Sequence, residues 1–104
     1  MNAAALRQEL ETLERVLAQH GESRAAQMIR AALDGSDQDF QAFLASNELW
    51  GGAGSIADQA GLSCGGDVRR QVEATLARLG QEQIREGVVN VRTKMWVEAF
   101  SKWN

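Results

Sequence analysis

Apolar residues recur three and four positions apart through most of the chain. Leu6, Leu10, Leu13 and Leu17 set this spacing within residues 2–20, and charged side chains fill the positions between them. That pattern predicts an amphipathic helix. Asn2 suits its N-cap and Gly21 its stop. A second helix over residues 23–33 places Ala25, Met28, Ile29 and Ala32 inward, ends at Gly35, and folds back on the first as a hairpin. Ser36 followed by Asp39 has the spacing of a capping box, with Asp in the place of Glu. Phe40, Phe43 and Leu44 then share one face of a third helix that runs to about Asn47. Ser55 caps a short helix through Gln59, closed by Gly61, and "LSCGGD" forms a loop. Asp67 caps the next helix, where Val68, Val72, Leu76 and Leu79 make the apolar stripe and Ile84 continues it. Gly80 is a candidate break within that helix, and Gly87 ends or bends it. From about Val89 a last helix carries Met95, Trp96, Phe100 and Trp103 on one face.

Sustained two-residue alternation, the mark of a half-buried strand, is missing from this pattern. "GVVNV" comes nearest and is too short to build a sheet. The expected class is therefore all-α: residues 1–104 as a single compact bundle of about five or six helices around a glycine-rich central turn. Core positions expected from the periodicity are Leu10, Leu13, Ile29, Phe43, Trp50, Leu76, Trp96 and Phe100. The chain has no proline, so its glycines provide the punctuation.

Composition narrows the function classes. The hydrophobic fraction of 44% is too high for a disordered chain. Neither an apolar run of bilayer length nor a basic-then-apolar leader is visible, which predicts a cytoplasmic protein with no membrane partner. Cys64 is the single cysteine, so no internal disulfide forms, and without a Cys/His cluster no structural zinc or other metal is expected. The net charge is −3, unevenly distributed. Between Arg30 and Arg69 there is no Lys or Arg, while Asp34, Asp37, Asp39, Glu48, Asp58 and Asp67 all fall in that interval. Later basic residues are interleaved with carboxylates, so no stripe for nucleic acid exists.

The candidate chemistry centres on "NELWGGAGSIADQAG", residues 47–61. Gly52, Gly54 and Ala57 fit a relaxed dinucleotide fingerprint, and a following helix could offer backbone N–H groups to a phosphate. The fingerprint needs a preceding buried strand, however, and "FQAFLASNELW" has helical spacing. With no Gly-Lys-Ser/Thr and no nearby cation, a structural turn is the better expectation, and no cofactor is expected. In that turn Leu49 and Trp50 plug the core, Gly51 and Gly52 reverse the chain, Gly54 permits close packing, and Ser55 caps the next helix. Asp37, Asp39, Gln41 and Glu48 match four positions of a calcium loop, but Ala42 stands where that loop needs glycine. His20 and Cys64 are the only residues able to form a thiol–imidazole pair; their ordinary roles are a helix-end residue and a small loop residue. An exposed Trp103 would mark a partner interface.

"FLASNELWGGAGSIADQAG", together with "NVRTKMWVEAF", resembles a family of small bacterial proteins of unknown function. The resemblance rests on Phe43, Leu44, Leu49, Trp50, Gly51, Gly52, Gly54, Ser55, Ile56, Asp58, Asn90, Arg92 and Trp96. It implies no activity, because none is established for that family. Small acidic helical proteins of this kind also resemble immunity proteins that neutralise bacterial toxins. The expectation is accordingly a non-enzymatic bacterial interaction protein whose Asp34, Asp37, Asp39 and Glu48 meet a basic, toxin-like partner. A homodimer joined through exposed aromatics is a second binding arrangement. The alternative is a small enzyme or ligand-binding protein that uses the glycine-rich turn, with Glu48 and Asp58 as general acid and base. That version requires a pocket at Trp50 and a carboxylate with a raised pKa.

Overall fold

The leucine ladder of the first segment decides where the core begins. In a computed structural model, which describes residues 3–103 except for the side chain of Trp103, α1 spans Ala3–Gln19 and turns Leu6, Leu10, Leu13 and Leu17 completely away from solvent. Full burial of each such side chain favours the fold by about 1.5–3 kcal/mol. Gly21, at φ 78°, reverses the chain in the left-handed conformation, and α2, Ser23–Asp34, packs back on α1 with Ala26, Ile29, Ala32 and Leu33 buried. The predicted hairpin is present. Its inward face is rotated slightly from the expected one, so that Ala25 and Met28 are only half-buried. The Asn2 cap and the exposure of Trp103 lie outside the described residues.

Helix α3, Asp37–Leu44, opens on the expected capping box: the Ser36 hydroxyl accepts from Asp39 N at 3.1 Å, and the Asp39 carboxylate accepts from Ser36 N at 3.4 Å. Helical structure at Asp37–Leu44 also removes the calcium-loop geometry. The third helix does not continue to Asn47. Ser46 interrupts it, because its hydroxyl donates to Phe43 O at 2.6 Å and accepts from Leu49 N, so that a separate single turn, α4, forms over Asn47–Trp50. A second single turn, α5, covers Ile56–Gln59, followed by a 3-10 turn at Leu62–Cys64 where an irregular loop was expected.

The long helix α6, Gly66–Glu86, supplies the opposite wall of the core with Val72, Leu76 and Leu79. It begins at Gly66 after Gly65, with no side-chain cap, so Asp67 sits in the first turn rather than at the N-cap. Gly80 does not break it. Ile84 lies outside the stripe, and Gly87, left-handed at φ 76°, ends the helix. The last helix, α7, starts at Thr93 rather than near Val89 and spans Thr93–Trp103. Its buried positions include Thr93, Val97 and Phe100, with Trp96 half-buried and stacked on Phe100 at 5.3 Å; Met95, expected inward, faces solvent. Helix α6 packs on both α1 and α7, enclosing one contiguous apolar core. The described residues contain helix, turn and loop but no strand, and the radius of gyration is 12.2 Å. The all-α class follows directly.

Candidate functional site at the LWGG turn and its cleft

Trp50 is the largest side chain wholly removed from solvent, and its indole N–H must find an acceptor inside. It donates at 2.9 Å to Oε1 of Gln83, which is itself completely buried on α6. The Gln83 amide then donates to Leu44 O at 2.8 Å and Val88 O at 2.7 Å. One side chain thereby joins the end of α3, the ring of Trp50 and the exit from α6. Such a satisfied network costs little to bury, whereas losing one member strands the others.

From the other side, the Trp96 indole donates to Trp50 O at 3.0 Å and Gly51 O at 3.3 Å, and the Asn90 amide donates to Ala45 O and to Asn47 Oδ1, both at 2.9 Å. Ser55 closes the turn. Its hydroxyl donates to Gly51 O at 2.8 Å and accepts from Asp58 N, while the Asp58 carboxylate accepts from Gly54 N at 3.0 Å. Leu44, Trp50, Gly51, Gly54, Ser55, Asp58, Asn90 and Trp96 are thus gathered into a single knot. Arg92 stands apart: its backbone N–H is bonded to Asn90, but its side chain is exposed.

The glycines in the knot exchange their expected duties. Gly51 is extended, and a Cβ there would run into the Asn47 carbonyl, so it is the close-packing glycine. Gly54, at φ 88° with open space around it, is the one that needs the left-handed conformation. Gly52 needs neither. In α6, Gly80 lets Trp50 approach: a Cβ would overlap Val97 Cγ2 and come within 3.2 Å of Trp50 Cη2.

Arg69, which no sequence motif singled out, is the clamp beneath this region. Its guanidinium donates to Ala60 O and Ala57 O, each at 2.7 Å, pairs with Glu73 at 2.9 Å, and lies 5.4 Å from the centre of the Phe100 ring. It serves as a C-terminal cap for α5 from a helix that follows in sequence.

Beside the knot lies an open cleft of about 720 Å³ between the start of α2 and residues 47–60. Met28, Ala25 and Ile56 contribute apolar surface, and Arg24, Glu48 and Gln59 contribute polar groups. Glu48 borders this cleft, but Asp58 does not. The Asp58 carboxyl is held below its usual range, first by the Gln59 amide, then by the Gly54 N–H, with a smaller contribution from Arg69. The acid–base version needs a raised carboxyl, and at Asp58 the shift runs the opposite way. Trp50 forms the core beneath the turn rather than the wall of a pocket.

The other candidate residues are dispersed. Asp34 pairs with Arg30 at 3.3 Å, Asp37 lies 3.6 Å from Arg7, and Asp39 serves the α3 cap, all on the exposed side of the α2–α3 corner. The Cys64 thiol donates to the backbone carbonyl of His20 at 3.3 Å and lies 3.7 Å from Glu22 Oε1; the bond to His20 is to its main chain. Among the described residues there is no group of three His, Cys, Asp or Glu side chains able to hold a metal ion, and no helix long and apolar enough to cross a membrane. What fold and site define together is an all-α domain with a hydrogen-bonded turn at its centre and a cleft at its side. No protein-family model, curated protein or solved structure matches the chain.

Proposed function

We propose that the protein is a non-catalytic interaction module that meets a basic protein partner through its acidic corner, in the manner of a bacterial immunity protein facing its toxin. The observation that supports this reading is the charge distribution. The interval from Arg30 to Arg69 contains no other Lys or Arg, and Asp34, Asp37, Asp39 and Glu48 are all exposed within it. The guanidinium groups near this corner, Arg7 from α1 and Arg30 from within α2, have other duties as well. Arg7 donates to Leu33 O at 3.0 Å and lies 4.4 Å from the centre of the Phe40 ring, while Arg30 also holds Glu14. Carboxylates so placed steer a basic surface at long range and penalise acidic competitors.

Affinity capture from the source bacterium, including the product of the adjacent gene, tests the reading at low and raised salt. The expected result is a basic protein whose association slows as the Debye length falls from about 10 Å at 0.1 M to about 3 Å at 1 M. Asp34→Lys with Asp37→Lys should slow that association by about tenfold or more, and spares the Asp39 cap. If no heterologous protein is captured and this charge reversal leaves the cellular phenotype unchanged, the acidic-corner reading fails.

A further inference from the structure

We propose that the cleft between α2 and residues 47–60 is a docking groove for an extended segment of a protein partner, one that presents an apolar side chain between an acidic and a basic residue. The inference rests on the preceding reading only in taking the partner to be a protein. Arg24 and Glu48 both line the cleft and both are exposed. Neither side chain is hydrogen-bonded or ion-paired among the described residues, and they do not pair with each other. Arg7, Arg30, Arg69, Arg70, Arg78 and Arg85 are held by carboxylates, whereas Arg15 and Arg92 share with Arg24 the lack of an ion pair among the described residues but line no part of this cleft. The groove therefore carries two unneutralised charges of opposite sign beside the half-buried Met28 and the apolar Ile56.

The rim adds main-chain complementarity. Gln59 spends its amide N–H on Asp58, leaving its carbonyl oxygen without a partner, and Asn47 spends its oxygen on Asn90, leaving its NH₂ group. Together they offer one acceptor and one set of donors, the pair a peptide unit can use. Glu22 is not available for this role, because its carboxylate accepts from Gly61 N at 3.0 Å and from the Cys64 thiol. A small molecule held by a protein loses most of its surface to an enclosing pocket, whereas an open groove of this kind suits an extended chain.

A phage-displayed random heptapeptide library, panned separately on the wild type, on Arg24→Glu/Glu48→Lys and on Asp34→Lys/Asp37→Lys, tests the proposal. The wild type should enrich peptides with an apolar residue flanked by one acidic and one basic residue. Amide shifts in a ¹⁵N spectrum on adding a synthetic copy of the enriched peptide should fall on Arg24, Met28, Glu48, Ile56 and Gln59. The Arg24→Glu/Glu48→Lys protein should bind those peptides at least tenfold more weakly and enrich the reversed charge order. Asp34→Lys/Asp37→Lys should select the same peptides as the wild type. No enrichment, enrichment without the charge pattern, shifts centred elsewhere, or unchanged binding by the charge-swapped protein would each overturn the proposal. If partner capture depends on Asp34 and Asp37 while no peptide is selected, the groove fails and the acidic corner stands. If selection depends on the groove while capture is indifferent to those aspartates, the groove stands and the acidic corner fails.

Discussion

The α1–α2 hairpin and the segment from Leu44 to Gly61 bury their large side chains equally well, yet they are held by different forces. Leu6, Leu10, Leu13 and Leu17 meet Ile29 and Leu33 with no polar atom among those side chains, so the hairpin depends on area and shape. The second segment buries Trp50 only because Gln83 accepts its N–H, and it is fastened from outside by Asn90, Trp96 and Arg69. Burial by area tolerates exchange among similar side chains. Burial secured by directed bonds does not.

That contrast can be broken most severely at its centre. Trp50→Ala should cost about 3–5 kcal/mol in urea unfolding, and Leu10→Ala about 2–5, so truncation alone separates the regions poorly. Conservative exchanges sharpen it. Trp50→Phe keeps most of the apolar bulk but leaves Gln83 Oε1 without its donor, an expected loss of about 1–3 kcal/mol beyond the change in volume. Leu10→Met, with no polar atom to strand, should stay under about 1.5 kcal/mol. Equal costs for these two exchanges would erase the distinction.

Gly80→Ala comes next. Helix propensity alone would make alanine better by about 1 kcal/mol. The overlap of the added methyl with Val97, and its close approach to Trp50, should instead make it worse by about 1–3 kcal/mol. Combining it with Val97→Ala should recover part of the Gly80→Ala penalty, measured as a double-mutant coupling in the same unfolding curves. Additive losses would show that the two side chains do not meet.

Smaller effects test the turn itself. Gly54→Ala should destabilise by about 1 kcal/mol through its left-handed backbone, while Gly52→Ala, with open space and no such requirement, should remain within about 0.5 kcal/mol of the wild type. Asp58 gives the most modest signal. Its folded pKa is lowered, so its contribution is complete above the unfolded value near 3.9 and is lost as pH falls through the folded value. Asp58→Asn should therefore flatten the pH dependence of stability below about pH 4 while leaving the slope near neutrality unchanged.

The hairpin was legible in the chain because periodicity and caps are local. Four leucines, Gly21 and the Ser36–Asp39 pair each act within a few residues of themselves. Trp50 as a core plug and Ser55 as a cap were legible for the same reason. Gln83 was not: a glutamine in the mostly polar run of residues 81–86 looks like surface, and only the arrival of Trp50 from 33 positions earlier makes it interior. Gly80 looked like a break because its use lies in what approaches it from α4 and α7. Gly51 and Gly54 differ in what a Cβ would meet, and that depends on the folded path of the chain. Ser46 did carry a local signal, since a serine three residues before Leu49 has cap spacing, but the expected third helix ran past it to about Asn47, with Leu49 and Trp50 expected in the turn. The cleft brings Arg24 to the same groove as Glu48 by tertiary packing, which no spacing along the chain records.

Arg69, Gln83, Asn90 and Trp96, which fasten the central turn from outside, all lie downstream of it, which sets a timetable for the chain as it leaves the ribosome. Trp50 cannot complete its bonds until Gln83 has emerged, nor can the turn close until Trp96, 46 residues later, is free to donate to Trp50 O. At roughly 5–20 residues per second, that interval lasts roughly 2–9 seconds. During it α1 and α2 have each other, while a bare tryptophan and its neighbouring leucine have no lasting shelter. The newborn chain must therefore pass through a brief period as a client for any chaperone that recognises exposed apolar segments, and a pause in translation between Trp50 and Trp96 would prolong it.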